Sequence, residues 1–182
     1  MDKVVFLSGN RIYLRPLDLA DLETFYKWFN NPELRKFLVL NYPITKAQEK
    51  EFIENTMKDK DSVLLSIVAK KNDTLLGNIG LLKIDKIHRR ADLGIALANL
   101  TYVSKGFGTE AMKIMIDYGF NELNLHRIEL FVHEFNERAI NAYKKVGFVE
   151  EGRKREAHYY YGKYHDQIIM SILRQEWPKK QK

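Results

Sequence analysis

"RRADLGIALANLTYVSKGFGTEAMKIMIDYGF", residues 89–120, places a strand, a glycine-spaced loop and a helix in immediate succession. It runs from a strand pattern, Arg90 to Ala98, through a loop with two glycines into a helical pattern from Gly108 to Asn121. Ala111, Ile114, Met115, Tyr118 and Gly119 fall on the inner side of that helix. Gly106 and Gly108 permit a tight turn with inward-pointing N–H groups, and neither carries a side chain to block close approach. The helix that starts there adds unpaired N–H groups and a partial positive charge. Together these make a cradle for a pyrophosphate. A plain strand-to-helix turn explains a lone G-x-G about as well. A dinucleotide fingerprint needs a third glycine where Ala111 stands, and a P-loop needs Gly-Lys-Ser/Thr, so neither nucleotide motif is complete.

Outward from this unit, strands and helices interleave. "RIYLRPL", Arg11 to Leu17, alternates as a half-buried strand. Asp18 is positioned to cap a helix striped by Leu22, Phe25, Trp28 and Phe29 and ended by "NNP". A second helix begins at Thr45, with Phe52, Ile53, Thr56 and Met57 expected on its buried face. "VLLSIVAK" and "LLGNIGLLKI" read as strands joined by "KNDT". "HRIELFV" returns as a strand, "ERAINAYKKVGF" as a helix that stops at Gly147, and the end as a hairpin turning at Gly162-Lys163. Short turns between several strands argue for a mixed α/β (α+β) sheet flanked by helices, not a doubly wound parallel one. No repeat or linker divides the chain, so residues 1–182 are expected to form one domain.

Composition narrows the function classes. Apolar residues make up 45% and charged residues 30%, a globular profile, and no apolar run approaches the roughly 20 residues of a membrane span. With no cysteine, disulfides and thiolate chemistry are excluded, and the five scattered histidines lack metal-ligand spacing, so no metal is expected. A cytoplasmic location fits that pattern. The formal charge of +6 suggests an anionic partner, although part of it lies in the tail "PKKQK" and a solvated lysine surface explains it as well.

The segments "RRADLGIAL", "KGFGTEAMKIMIDYGF", "LNLHRIEL" and "NERAINAYKKVGFVEEG", in that order and spacing, resemble the acetyl-CoA half of the GNAT acetyltransferases, in their RimJ/RimL-like branch. "RIYLRPLDLADLE" resembles the family's opening strand, so the likeness spans nearly the whole chain. It implies a GNAT fold, with a largely antiparallel sheet splayed between two central strands. Acetyl-CoA is the implied co-substrate, with no metal. The backbone of Val103, Ser104, Lys105, Gly106, Phe107, Gly108 and Thr109 would hold the pyrophosphate, and Ile95, Ala96 and Leu97 would line the gap for pantetheine. Asn136 matches the family asparagine on the pantetheine arm, beside Ala139, and is equally a helix cap. Arg138, Lys144 and Lys145, with Lys105, are implied partners for the 3′-phosphate. Val103 stands where the branch commonly has Trp, and Ser104 where it has glycine.

The implied reaction is direct attack of a free amine on the thioester. Tyr143 matches the tyrosine expected to protonate the departing thiolate; it is also one of a stripe of core residues with Ala139, Ile140 and Val146. Asp92 aligns with the strand carboxylate that acts as base in some members, though an ion pair with "HRR" explains it equally, and Glu129 on the neighbouring strand is the next candidate. His126 and His133 are weaker base candidates, and a backbone N–H near Leu97 is expected to hold the thioester oxygen. For the acceptor, a protein N-terminal α-amine is the leading reading, with an amino sugar or polyamine as the alternative. "IDKIHRRADL" is similar to spermidine acetyltransferases, yet "RKFLVLNYP" lacks the acidic residues a polyamine would want. A homodimer is a family expectation. A non-catalytic module docking on RNA is a reading of another class; no RNA-binding signature accompanies the basic and aromatic strips "HRR" and "YYYGKYH".

Overall fold

In the computed structural model, which describes residues 4–38 and 40–178, eight strands form one sheet in the order β1-β2-β3-β4-β5-β6-β8-β7. The strands are β1 Leu7–Ser8, β2 Ile12–Pro16, β3 Val63–Ala69, β4 Leu75–Asp85, β5 Arg90–Leu97, β6 Arg127–His133, β7 Val149–Tyr160 and β8 Lys163–Leu173. The helices are α1 Leu22–Phe29, α2 Pro32–Leu38, α3 Lys46–Lys58, α4 Phe107–Asn121 and α5 Glu137–Val146. Every neighbouring pair is antiparallel except β5 and β6, which run parallel. The mixed sheet read from the sequence is therefore the architecture observed. Asp2, Val39 and the tail lysines from Lys179 onward lie outside the described residues.

Alternation along the strands divides the sheet into two faces. Leu65, Ile67, Ile79, Leu93, Ile128 and Leu130 pack with Ala111, Met115 and Ile116 of α4 and Ile140 of α5 in the main core. On the other face Leu64 packs beside Leu17, Phe25 and Ile53 under α1 and α3. Ser66 also points that way, donating to Asp21 Oδ2 at 3.0 Å, while Arg15 holds Asp21 Oδ1 at 2.7 Å.

Several local expectations change. Asp18 caps a short 3-10 turn, Leu19–Asp21, by accepting from Ala20, and α1 starts only after it. "NNP" ends α1 but also opens α2, because proline at a first helical position forfeits no helical hydrogen bond. Thr45 and Gln48 form the capping box of α3. Its buried face, however, carries Ile53 and Glu49, and Phe52 and Met57 are exposed.

Candidate active site

The central parallel pair is what opens the molecule. Strands β5 and β6 pair at Arg90↔Arg127, Ala91↔Ile128 and Asp92↔Glu129 and no further, although β5 continues to Leu97 and β6 to His133. Beyond that point the strands splay, as the resemblance implied, and a cavity of about 1120 Å³ occupies the gap. Its lining comes from both faces of the sheet. Gly106, Gly108, Thr109, Met112, Ala139 and Tyr143 belong to the α4/α5 side. Phe29, Leu34, Ile44, Glu49, Leu64 and Asn78 belong to the α1/α3 side. The cavity is thus a passage through the sheet.

The glycine loop forms its α4/α5 mouth. Gly106 sits at φ +83° as the residue before α4, a left-handed conformation that costs glycine little. Gly106 offers no side chain to cap α4, so the N–H groups of its first turn have no partner within the helix and none from the cap residue. A diphosphate fits this end: helix polarity and free donors point the same way. Ser104 is also left-handed, at φ +60°, which explains why the resembled branch has glycine there.

Sequence reasoning missed the brace behind the loop. Arg11, at the head of β2, donates from Nη1 to the Lys105 carbonyl at 3.0 Å and from Nε to Glu110 Oε2 at 3.0 Å. Its guanidinium lies 4.4 Å from the Phe107 ring centroid. No local pattern marks an arginine that acts 99 residues away.

The expected binding residues divide accordingly. Ile95, Ala96, Leu97, Val103, Ser104, Gly106, Gly108, Thr109, Asn136, Arg138, Ala139 and Tyr143 all line the cavity. Lys105, Phe107 and Lys145 do not. Lys105 contributes its carbonyl to the brace, Phe107 stands edge-on to Tyr102 at 5.4 Å, and Lys144 and Lys145 are exposed at the end of α5. Asn136 caps α5 by accepting from Ala139 N at 3.3 Å, and Arg138 lies 5.3 Å from the Phe37 ring. Burial pushes the Tyr143 phenol up to about 12, so it keeps its proton at physiological pH.

The two strand carboxylates are not brought to the cavity. Asp92 and Glu129 face each other at the last closed rung of the β5–β6 ladder, below the gap. Asp92 accepts from Lys83 Nζ at 3.0 Å, and Arg127 holds Glu129 at 2.7 Å. The ion-pair reading of Asp92 is the one observed, with Lys83 in place of the "HRR" arginines. His126 is likewise outside, whereas His133 reaches the cavity wall. Its ring stacks on Phe135 at 5.3 Å and lies 4.2 Å from that of His158. Burial, and then His158 and His165, hold its pKa down to about 4. Among the described residues, no cluster of His, Asp or Glu is arranged to hold a metal, and no helix is long and apolar enough to cross a membrane.

Comparison with known proteins gives the site a context. The acetyltransferase (GNAT) domain family matches residues 11–149. The spermidine N(1)-acetyltransferase of Escherichia coli K12 is 32% identical over 174 residues, covering 93% of this chain and 90% of its own. That of Vibrio cholerae is 30% identical over 169 residues, covering 93% and 96%. A crystal structure of the Vibrio cholerae spermidine N-acetyltransferase with CoA and spermine is similar to this fold with a TM-score of 0.84, at 29% identity over 92% of this chain and 98% of that one.

Proposed function

The chain belongs to the GNAT acetyltransferase family and is an acetyl-CoA-dependent N-acetyltransferase, and from that premise we propose that its acceptor is a small alkyl amine of the polyamine kind. The passage through the sheet carries this reading: one mouth suits a diphosphate, and the other opens into a largely apolar chamber under α1 and α3. The sequence put a protein N-terminal α-amine first. The small-amine alternative now has the better support, because the spermidine acetyltransferases resemble the chain over nine-tenths of its length.

Bound acetyl-CoA supplies an acyl group activated as a thioester. In our reading the backbone from Val103 to Thr109 holds its diphosphate, and the free edges of β5 and β6 receive its amide arm beside Asn136. Arg138 is the lining cation on that side and the best-supported partner for the remaining phosphate. A backbone N–H near Leu97 stabilises the carbonyl oxygen as charge builds on it. Tyr143 stores a proton at the α5 wall and donates it to the departing sulfur. Asp92 and Glu129 are already committed to Lys83 and Arg127 away from the cavity, so neither receives the base role. The ammonium loses one proton to solvent before attack, and the proton that nitrogen sheds as the amide forms returns through solvent to Tyr143. For an alkyl amine of pKa near ~10.4 the first loss makes turnover rise with pH through the neutral range.

A thiol-release assay over polyamines, peptides with free N-termini and amino sugars tests the assignment. Polyamines are expected to give the highest kcat/KM. Turnover confined to peptides, with acetyl-CoA bound normally, would overturn it.

A further inference from the structure

Glu49 is the buried carboxylate of the acceptor chamber. It lies in the first turn of α3, 3% exposed, and lines the cavity with Phe29, Leu34, Ile44 and Leu64. Among the described residues, its Oε1 is fully buried without a hydrogen-bond partner, and no cation pairs with it. The loop that leads into α3 is held firmly: Asn30 at the end of α1 accepts from Ile44 N at 3.0 Å and donates to the carbonyls of Ile44 and Tyr26. The carboxylate is therefore presented by a fixed backbone. Asp59, the other acid on the wall, is exposed and already accepts from Asp61 N at 2.9 Å. A carboxyl buried among apolar side chains without a partner is costly to keep, and an incoming cation relieves that cost.

We propose that Glu49 binds an ammonium group of the acceptor other than the one that reacts, so that the substrate class is a diamine or longer polyamine. The inference rests on the small-amine reading above. A carboxylate that holds an ammonium stabilises its protonated form, whereas attack on a thioester requires a free lone pair. The held nitrogen and the attacking nitrogen must then be different atoms. The geometry agrees, since Glu49 sits on the α1/α3 side and Tyr143 on the α4/α5 side, with an apolar passage suited to methylenes between them.

The test compares an α,ω-diaminoalkane with the monoamine of equal length, in wild type and in Glu49→Gln. Wild type is expected to favour the diamine by about ten- to a hundredfold in KM, and Glu49→Gln to bring that ratio close to one. Glu49→Asp should retain part of the preference, which guards against a variant that fails to fold; coenzyme A titration reports whether each variant is folded. Burial raises the Glu49 carboxyl above its usual range, so diamine KM in wild type should fall as pH rises through that titration. Among the described residues, the other titratable groups on the cavity wall are Tyr42, Asp59, His133, Arg138 and Tyr143. An undiminished diamine preference in Glu49→Gln overturns the inference and leaves the small-amine reading standing. Failure of wild type to acetylate any alkyl amine overturns the reading itself.

Discussion

Arg11 and Glu110 lock the first strand to the glycine loop: the backbone N–H of Arg11 donates to Glu110 Oε1 at 2.8 Å while its guanidinium holds Oε2. The same guanidinium carries the Lys105 carbonyl, so three bonds from one residue set the entry to α4. Because the Arg11 side chain is half exposed, its ion pair is worth about 1 kcal/mol or less. Arg11→Ala is expected to lower Tm by roughly 2–4 °C. Its larger effect should be a several-fold rise in KM for acetyl-CoA, measured by thiol release, with kcat little changed.

Two left-handed residues flank Lys105, and they make opposite demands. Ser104 at φ +60° bears a strain of roughly 1 kcal/mol that glycine avoids, and with part of that relief offset by glycine's greater freedom in the unfolded chain, Ser104→Gly should raise Tm by roughly 1–2 °C. At Gly106 a new Cβ would stand 3.2 Å from Arg11 Nη2 in a conformation that L side chains rarely adopt. Gly106→Ala should therefore lose roughly 1–2 kcal/mol of stability and weaken coenzyme A binding, both readable by thermal melts with and without coenzyme A.

Tyr143 is the residue on which the chemical reading can be tried most directly. Its ring packs edge-on to Phe148 at 5.9 Å, so phenylalanine preserves the packing and removes only the hydroxyl. Loss of a positioned acid should cut kcat by about 10²–10⁴, with KM for acetyl-CoA close to the wild-type value. Wild-type kcat in Tyr143→Phe would assign the ring to packing alone.

The parts of the site legible in the sequence are those carried by local pattern. Gly106 before an amphipathic helix, Asn136 as a cap and Thr45 with Gln48 as a capping box each act within a few residues of themselves. What escaped depends on distance or register. Glu49 and Phe52 are three apart on α3, and with so few apolar residues on that helix the pattern favours the aromatic; the tertiary fold buries the acid. Asp92 lies on a splaying strand, as expected, yet where the ladder is still closed, and the rung at which two strands part is not written in either one. Proline at 32 reads as a stop for the preceding helix and equally as a start for the next.

His133 makes the fold sensitive to acid in a defined window. Folded, it resists protonation down to about 4, because burial and the neighbouring His158 and His165 disfavour the charge; unfolded, it titrates near its ordinary 6.5. Below 6.5 the unfolded chain thus binds a proton that the folded one refuses, and stability drops as pH falls from 6.5 toward 4, by up to about 1.4 kcal/mol per pH unit. Above 6.5 both states are neutral at this residue, and the stabilisation is fully present. The cluster offers little relief: His165 is engaged with Glu134 at 3.1 Å, and among the described residues His133 Nδ1 and His158 Nε2 are buried without partners. Replacing His133 by Phe keeps an aromatic ring to stack on Phe135 and removes the titration. Urea midpoints measured from pH 7 to 4.5 should decline more steeply for wild type than for His133→Phe, and parallel slopes would mean that other groups govern the acid limb.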